Sequence, residues 1–303
     1  KIWISDISND KAGKPRRLTK DTAREYAPEF SPDGKWIAYV TWTDADLGHV
    51  WKIRATGGTP VRLTRSAGHY TNPAWSLKGH RIAIVAGSGA ELRGQQPEYD
   101  PYFEIRWLPS EPPSGGADAV AVTAASPYDT VRFHPIPTWG PEGDRIFFVK
   151  AIPPSEPGGD AKVDLVSVRL DGTDEQHHLR FVSAEDAVPS PDGAWGAYVS
   201  RDDVYVTALP RSGKDPVEIS GDKGAVPVYR LSTEGGVYVG WTDNGRTIVW
   251  GMGNTIYRQD LARVRDAAQK KVLADKEKEK KPDDAEAKPE AAKESEIEVP
   301  KPT

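Results

Sequence analysis

Few residues in this sequence combine the type and the spacing that catalysis or metal binding requires. Adjacent histidines at His177 and His178 are potential metal ligands. Neighbouring residues on a strand point to opposite faces, so we expect these histidines to be solvated side chains beside a turn. Residues 44–48 contain two aspartates but lack the third acidic ligand and the distant glutamate of a calcium-binding loop, which favours an ordinary polar loop.

Other short patterns predict turns rather than chemistry. Gly251 and Gly253 flank a methionine, and we interpret them as a tight link between strands, not as a phosphate-binding loop. Asp33 and Asp192 each stand between proline and glycine, which is typical of turn formers. The sequence has no His-Glu-x-x-His, Gly-x-Ser-x-Gly or Walker-type motif. We therefore predict no catalytic residue, no cofactor site and no metal site in this chain.

The composition narrows the class of protein that could present such residues. The chain has 303 residues, 40 Lys and Arg against 45 Asp and Glu, and a net charge of −5, which argues against a general nucleic-acid binder. It has no cysteine, which excludes disulfides, thiol catalysis and cysteine-based zinc sites. No apolar run approaches the length of a membrane span. The 28 glycines and 26 prolines favour many short strands broken by turns.

One pattern recurs five times and is the main signal in the sequence. Each copy has an aromatic or proline residue, a short turn with glycine, and then a run rich in Ile, Val, Tyr and Phe. The five copies are residues 30–40, 75–85, 139–149, 189–199 and 241–250. Their turn glycines are separated by 45, 64, 50 and 52 residues. Repeats of this length predict a propeller or a solenoid.

The residues within one copy indicate a four-stranded antiparallel sheet. The turn joins a first strand to an apolar second strand, and a third strand follows, as at residues 49–53 and 203–207. A Gly-rich turn such as residues 56–59 then leads to a fourth strand, as at residues 60–64. One such sheet cannot bury both faces alone, so neighbouring copies must cover it. We therefore predict an all-β fold, a β-propeller of four-stranded blades, whose first-strand Trp and Phe residues pack between blades.

The two ends of the chain depart from this repeat. Residues 1–19 match only the third and fourth strands, which gives five blade cores plus one outer half blade on a six-bladed plan. We expect the inner half of that sixth blade upstream of Lys1 in a parent chain. The fifth copy has three clear strands and no clear fourth. We assign 1–261 to the propeller and 262–303, rich in Lys, Glu, Ala and Pro, to a disordered or partly helical linker or tail.

The topology also predicts a binding face. The Pro-Asp-Gly and Gly-Gly turns share one end of the blades, whereas the opposite end carries three long segments, residues 86–102, 124–137 and 150–162. Aromatic, histidine and acidic residues around a central channel there suit capture of a ligand or partner. The alternative is that they only cap the blades. The candidate residues are Glu25, Tyr26, His69, Tyr70, Tyr99, Tyr102, His134 and Tyr238. Glu104 and Arg106 are expected to give polar support within a strand.

Two resemblances extend this interpretation. The turn at residues 30–38, with the later Gly-Gly and Arg-Leu-Thr, resembles the TolB-type propeller repeat, a relative of WD-type blades. Residues 24–28, 39–42, 69–75, 167–173 and 251–261 are similar to propellers that precede a metal-dependent amidohydrolase barrel in bacterial exported proteins. That resemblance implies that a divalent metal and the catalytic residues belong to a downstream domain absent from this chain. It also implies a periplasmic or secreted location.

Three functions follow from these resemblances and remain open at this stage. The first is a non-catalytic propeller domain of a larger hydrolase of the amidohydrolase kind, whose partner is its own catalytic domain and whose ligands are peptides or small molecules. The second is a self-standing TolB-like scaffold that binds envelope proteins. The third is the propeller of a prolyl-oligopeptidase-type serine peptidase, and a stand-alone enzyme comes last. No nucleic-acid partner is expected.

Overall fold

A computed structural model describes residues 1–8, 11–20, 22–87, 103–124, 135–152, 162–182, 184–210, 215–221, 223–279 and 295–298. Within these residues the chain forms five sheets that each contain the predicted four antiparallel strands, arranged as a propeller. Two smaller two-stranded sheets lie at the start of the chain. The predicted fold class is confirmed.

The first three sheets follow the chain in order. The first contains β5 (Arg24–Phe30), β6 (Trp36–Thr43), β7 (Leu47–Arg54) and β8 (Val61–Arg62). The second contains β9 (Tyr70–Trp75), β10 (Arg81–Ala86), β11 (Glu104–Pro109) and β12 (Val120–Ala124). The third begins with β13 (Thr138–Trp139), β14 (Arg145–Ile152), β15 (Lys162–Arg169) and β16 (Gln176–Phe181).

The fourth and fifth sheets complete the series. The fourth contains β17 (Ala184–Pro189), β18 (Trp195–Ser200), β19 (Asp203–Ala208) and β22 (Val228–Arg230). The fifth contains β23 (Val237–Thr242), β24 (Thr247–Met252), β25 (Thr255–Asp260) and β26 (Ser295–Glu298). In every sheet the first strand of the repeat is the inner strand, at one edge of the sheet.

The repeated turn owes its shape to its polar residues. Ser31 donates through Oγ to Oδ1 of Asp33 at 2.7 Å, and the same carboxylate oxygen accepts from the backbone N–H of Lys35 at 3.1 Å. The hydrogen bond from Ser31 is the main cause that lowers the pKa of Asp33 to about 2. Gly34 has φ +68°, a conformation that favours glycine. Asp192 accepts in the same way from Ser190 and Ala194, so both aspartates are turn formers, as predicted.

The apolar core lies between neighbouring sheets. Separate clusters of buried residues join the first sheet to the second, the second to the third, the third to the fourth and the fourth to the fifth. Trp75 and Trp139 are buried in these clusters and Trp241 packs at the edge of one, as predicted for the first-strand aromatic residues. Phe30 departs from the prediction, because it is 51% exposed.

The start of the chain explains the exposure of Phe30. Strand β1 (Trp3–Ile4) pairs with β4 (Arg16–Arg17), and between them β2 (Ile7–Ser8) pairs with β3 (Lys11–Ala12). Ile2 and Leu18 pack against Ile37 and Tyr39 of the first sheet, so this outer half sheet covers only the outer part of that face. The inner part, which includes Phe30, stays exposed.

Two segments add strands that the repeat pattern does not contain. In the sequence, strands β20 (Val217–Ser220) and β21 (Lys223–Gly224) come between the third and fourth strands of the fourth sheet. Strand β20 pairs in parallel with β16, which extends the third sheet to six strands. We predicted no clear fourth strand for the fifth repeat, whereas β26 pairs antiparallel with β25 and supplies it from the tail.

The segment after the fifth repeat begins with a helix, α1 (Leu261–Glu279). The carboxylate of Asp260 accepts a hydrogen bond of 3.1 Å from the backbone N–H of Arg263 in its first turn. Leu261 and Val264 are buried in the cluster between the fourth and fifth sheets, so the helix packs on the propeller from its first residue. None of the described helices is long and apolar enough to span a bilayer. The division into a propeller and a linker at 261 and 262 stays a prediction.

Candidate functional site

A cavity of about 560 Å³ lies at the centre of the five sheets. All five inner strands, or the residues directly before them, contribute to its wall, so it is the central channel of the propeller. Cavities of this size suit a small molecule or a short stretch of peptide. We therefore treat this channel as the candidate functional site.

The wall of the channel is largely apolar and poor in hydrogen-bond donors. Pro28, Pro73 and Pro137 each lie six residues before the turn glycine of their repeat, and all three line the cavity. Proline has no backbone N–H, so these positions offer no main-chain donor to a ligand. Among the described residues that line the cavity, Glu29 is the one with a full charge.

A bulge distorts several inner strands at the wall of the channel. The pairing shifts register between Tyr26 and Glu29 on β5, and between Val237 and Gly240 on β23. Ala27, Asn72 and Tyr238 occupy equivalent positions, seven residues before their turn glycines, and have φ of 49°, 48° and 57°. A tyrosine rarely adopts this left-handed conformation, so the backbone at Tyr238 is strained.

Indole hydrogen bonds hold the inner strands at fixed spacing. Trp139 donates through Nε1 to the carbonyl oxygen of Ala74 at 2.9 Å, and Trp241 donates to that of Val188 at 3.0 Å. Trp75 donates in the same way to Glu29 at 3.1 Å. Each bond links one inner strand to the inner strand of the preceding sheet. The channel wall is thus built from strands that are bonded across the blade boundaries as well as packed.

Glu29 is an acidic residue of the channel wall, and its pKa is raised. Its residue surface is open to the cavity, but its carboxylate has no hydrogen bond or ion pair within the described residues. Desolvation by the surrounding wall raises the pKa of Glu29 to about 7. The other repeats have Ala74, Thr138, Val188 or Gly240 at this position. A charge at a position that is otherwise small or neutral was the sequence signal for this residue, and we missed it.

Asp186 is a second inner-strand carboxylate with a perturbed pKa. It lies on β17, seven residues before its turn glycine, and is half-buried. Burial raises its pKa to about 6, and a backbone hydrogen bond from Ala187 partly opposes that shift. It is not among the residues that line the cavity.

Of the eight residues in the predicted binding face, five lie in the described part of the chain, and only Tyr238 lines the channel. Tyr238 is 86% exposed. Glu25 is buried and accepts a 2.5 Å hydrogen bond from Oγ1 of Thr19. His69 is buried, with its ring centroid 4.5 Å from that of Trp42. Tyr99, Tyr102 and His134 lie outside the described residues.

Of the remaining two residues of that face, Tyr26 bonds to the strand of Tyr70, and Tyr70 bonds to the segment before its own strand. The hydroxyl of Tyr26 donates to the carbonyl oxygen of Tyr70 at 2.9 Å, and the hydroxyl of Tyr70 donates to that of Ser66 at 3.0 Å. Burial raises the pKa of Tyr26 to about 12. The structure therefore brings Tyr26 and Tyr70 together as a link between the first and second sheets. Whether the eight residues form a binding face stays a prediction.

The histidine pair of the third sheet has two different environments. His177 lies between two carboxylates, with Nδ1 2.7 Å from Oδ2 of Asp164 and Nε2 3.1 Å from Oε1 of Glu175. Asp164 is fully buried and also accepts two 2.7 Å hydrogen bonds from Arg180. His178 points to the opposite face, as predicted, but it is buried rather than solvated. Within the described residues, no group of three or more His, Asp or Glu side chains is placed to bind a metal ion.

The other short motifs form local structure. Asp44 accepts from Nε1 of Trp42 at 3.1 Å, and Thr43 accepts from the backbone N–H of Asp46 at 2.9 Å, which makes this segment a polar turn. Gly253 lies in the tight turn from β24 to β25, as predicted, and Gly251 lies at the end of β24 before it. Glu104 and Arg106 form an ion pair on β11, the polar support expected of them.

Comparison with solved structures gives the class of fold. TolB from Acinetobacter baumannii matches with a TM-score of 0.58 and 17% identity, over 85% of this chain and 57% of that one. A protein described as TolB from Agrobacterium tumefaciens matches with a TM-score of 0.54 and 16% identity, over 82% and 81%. The propeller domain of the trilobed protease from Pyrococcus furiosus matches with a TM-score of 0.50 and 16% identity, over 78% and 67%. The chain has the TolB-type β-propeller fold.

Comparison with curated sequences gives distant relatives. The chain is 25% identical over 152 residues to an uncharacterised protein of Agrobacterium fabrum, covering 50% of this chain and 47% of that protein. It is 26% identical over 113 residues to the uncharacterised peptidase YuxL of Bacillus subtilis, covering 35% and 17%. It is 28% identical over 118 residues to a protein of Streptomyces coelicolor named as a tricorn protease homologue, covering 38% and 9%. The chain thus spans less than half the length of these relatives. No family model matches the chain.

Proposed function

We propose that this chain is the non-catalytic propeller domain of a larger bacterial hydrolase. In this proposal the propeller docks on the catalytic domain, and its central channel binds part of the substrate or controls access to the active site. The resemblance of residues 24–28, 69–75 and 251–261 to amidohydrolase-associated propellers favours a metal-dependent amidohydrolase as the parent. The divalent metal would then belong to the catalytic domain, and the protein would act in the periplasm or be secreted.

The observation that carries this proposal is the central channel itself. Its volume of about 560 Å³ and its apolar wall are properties of a ligand-binding cavity. The wall is built from all five inner strands, and indole hydrogen bonds from Trp75, Trp139 and Trp241 tie β9 to β5, β13 to β9 and β23 to β17. A channel whose wall strands are bonded to one another can favour ligands that match its size.

A narrowed channel tests access control in the protein expressed from the whole native gene. A Cβ at Gly240 would stand 3.8 Å from Val249, so Gly240→Phe can project into the cavity without a severe clash. We expect at least a tenfold lower kcat/KM for long peptide substrates and little change for a small chromogenic substrate. Val61→Phe, on the exposed outer strand β8, is the control. Equal turnover of long substrates by both variants would contradict access control, and so would an in-frame stop codon directly after Thr303.

A peptidase parent is the second candidate, and the curated relatives favour it. Two of them are named as a peptidase or a protease homologue. Under this proposal the propeller filters peptides for a serine peptidase. The sequence that follows Thr303 in the native gene distinguishes the two parents. A Gly-x-Ser-x-Gly nucleophile elbow there supports the peptidase, whereas a His-x-His strand supports the amidohydrolase.

A further inference from the structure

The central channel contains a single charged group whose partner is absent from the described residues. Glu29 lies on the inner strand β5, and its carboxylate has no hydrogen bond or ion pair within that part of the structure. Glu29 is exposed to the cavity, so its carboxylate is accessible to a ligand there. A ligand that carries a positive charge could form a charge-assisted hydrogen bond with it.

The wall around Glu29 favours cations over anions. Pro28, Pro73 and Pro137 remove backbone donors at equivalent positions on three inner strands, while their carbonyl groups remain as acceptors. No lysine, arginine or histidine is among the described residues that line the cavity. The described wall therefore offers one carboxylate and no countercharge for an anionic ligand.

The rest of the wall indicates what the cation is attached to. Trp75, Ile136 and Val239 are among the apolar residues that line the cavity, and Tyr238 presents an exposed ring to it. An apolar or proline-containing chain would bury its surface against such a wall. A bare metal ion has no apolar surface to bury against this wall. A compact ammonium group on an apolar body fits both features of the channel.

We propose that Glu29 anchors a primary ammonium group of an extended, largely apolar ligand that lies in the central channel. This inference rests on the proposed function, because it names the chemistry of the ligand that the same channel would admit. A peptide N-terminus and a lysine side chain share this chemistry. The ammonium donates hydrogen bonds to the carboxylate of Glu29, and the apolar body packs against the inner strands. No covalent step is involved.

The protonation state of Glu29 makes this binding depend on pH. With a pKa of about 7, the carboxylate is mostly protonated at pH 5.5 and ionised at pH 8.5, so a lysine side chain, which stays protonated over this range, should bind more tightly at the higher pH. Of the titratable groups on the inner strands, only Tyr238 shares the cavity wall with Glu29. The others whose positions are described are Arg24, Glu25, Tyr26, Tyr70 and Asp186.

Calorimetric titration of the 303-residue chain with matched peptides tests the proposal. The probes are Ala-Pro-Ala-Phe-amide with a free N-terminus, its N-acetylated form, and N-acetyl-Ala-Pro-Lys-Phe-amide. At pH 7.5, where Glu29 is mostly ionised and a peptide N-terminus is still largely protonated, we expect the first probe to bind at least tenfold more tightly than the acetylated form, as expected for loss of a charge-assisted hydrogen bond. If the lysine probe binds as tightly as the first or more tightly, the ammonium is recognised on a side chain as well.

Two matched variants separate the role of Glu29 from a general change in charge. Glu29→Gln keeps the shape of the side chain and should abolish the difference between the free and acetylated peptides. Glu142→Gln removes the same charge from an exposed turn outside the cavity and should leave that difference unchanged. Thermal unfolding of both variants establishes that they are folded.

Three results would overturn the proposal. They are equal binding of the free and acetylated peptides, unchanged binding in Glu29→Gln, and no binding of any probe at 10 mM. In the first two cases the channel still binds peptide, so the proposed function stands without the ammonium anchor. In the third case the Gly240→Phe experiment on the whole protein still decides access control independently.

Discussion

The indole Nε1 of Trp75 on β9 donates a 3.1 Å hydrogen bond to the backbone carbonyl oxygen of Glu29 on β5. Trp75 lies four residues before its turn glycine, and Glu29 lies five residues before the preceding one. The same pair of positions is bonded between Trp139 and Ala74, and between Trp241 and Val188. The bond that joins the first two sheets therefore also fixes the backbone of the charged residue in the channel.

Removal of the indole nitrogen should weaken the contact between the first and second sheets but leave its apolar packing largely in place. Trp75→Phe keeps most of the buried ring but loses the bond to Glu29, so we expect the free energy of unfolding to fall by about 1–2 kcal/mol. Trp3→Phe, at an exposed position of the outer half sheet, should change it by less than about 0.5 kcal/mol. Urea unfolding followed by circular dichroism measures both values. Equal losses of unfolding free energy in the two variants would show that the hydrogen bond from Trp75 to Glu29 does not stabilise the protein.

Asp164 has a comparable structural role in the third sheet. Its fully buried carboxylate accepts two hydrogen bonds from Arg180 and lies 2.7 Å from Nδ1 of His177. Asp164→Asn removes the buried charge that pairs with Arg180, so we expect a loss of about 2–4 kcal/mol in unfolding free energy.

The control for Asp164 is an exposed ion pair on the same sheet. Lys162 and Glu218 are 2.6 Å apart, and both side chains are more than a third exposed. Glu218→Gln should cost less than about 1 kcal/mol, because solvent screens such pairs. Chemical denaturation of both variants in low and high salt gives the comparison. A similar small loss for Asp164→Asn would contradict a structural role for the buried network.

The repeat was predictable because its determinants are local. Asp33 and Gly34 form the turn through contacts within a few residues, and the apolar second strands follow directly. Strand β20 was not predictable in the same way, because its parallel pairing with β16 depends on a contact between two repeats. Strand β26 was missed because Ser295–Glu298 has little apolar character, and its pairing with β25 is visible only in three dimensions.

The site was less predictable than the fold, for a physical reason. Side chains alternate along a regular strand, but the bulges on β5 and β23 interrupt that alternation near Tyr26 and Tyr238. Tyr26 consequently bonds to the second sheet, whereas Tyr238 faces the channel. Glu29 reads in the sequence as a solvated residue beside a turn. Its position in the channel follows only from the arrangement of the five sheets, whose inner strands together line the cavity.

His178 should make the stability of the propeller depend on pH. It is buried, its ring stacks on Phe147 with centroids 5.0 Å apart, and its Nε2 lies 2.8 Å from Oγ of Ser167. Desolvation by burial is the main cause that lowers its pKa from 6.5 to about 4, with a smaller effect of the Arg145 charge. Between pH 6.5 and pH 4 the unfolded chain therefore binds more protons at this site than the folded chain.

The sign of that dependence follows from linkage. The contribution of neutral His178 is present above pH 6.5 and is lost as the pH falls toward 4, by up to about 3 kcal/mol. Unfolding free energies of the native chain and of His178→Gln, measured from pH 4 to pH 8, should differ by less at pH 4 than at pH 7. His80→Gln, at an exposed turn, should track the native chain. If the unfolding free energies of the native chain and of His178→Gln differ by the same amount at every pH, His178 does not cause the pH dependence.

Replacing Tyr238 should raise the stability of the propeller and weaken its binding of ligands. Its φ of 57° is strained for a tyrosine, and its ring is 86% exposed, so little packing offsets the strain. The second repeat has Asn72 at the equivalent position with φ 48°, and asparagine tolerates this conformation better. We expect Tyr238→Asn to raise the free energy of unfolding by about 0.5–1 kcal/mol.

The same substitution should weaken the binding of apolar ligands, because it removes a ring from the channel wall. Tyr238→Phe keeps both the ring and the strain, so it should match the native chain in urea unfolding and in affinity for Ala-Pro-Ala-Phe-amide. If Tyr238→Asn is no more stable than native, the strain at this bulge is absorbed elsewhere in β23. If it binds the peptide as tightly as native, the exposed ring is not part of the ligand site, and the channel wall alone holds the apolar body.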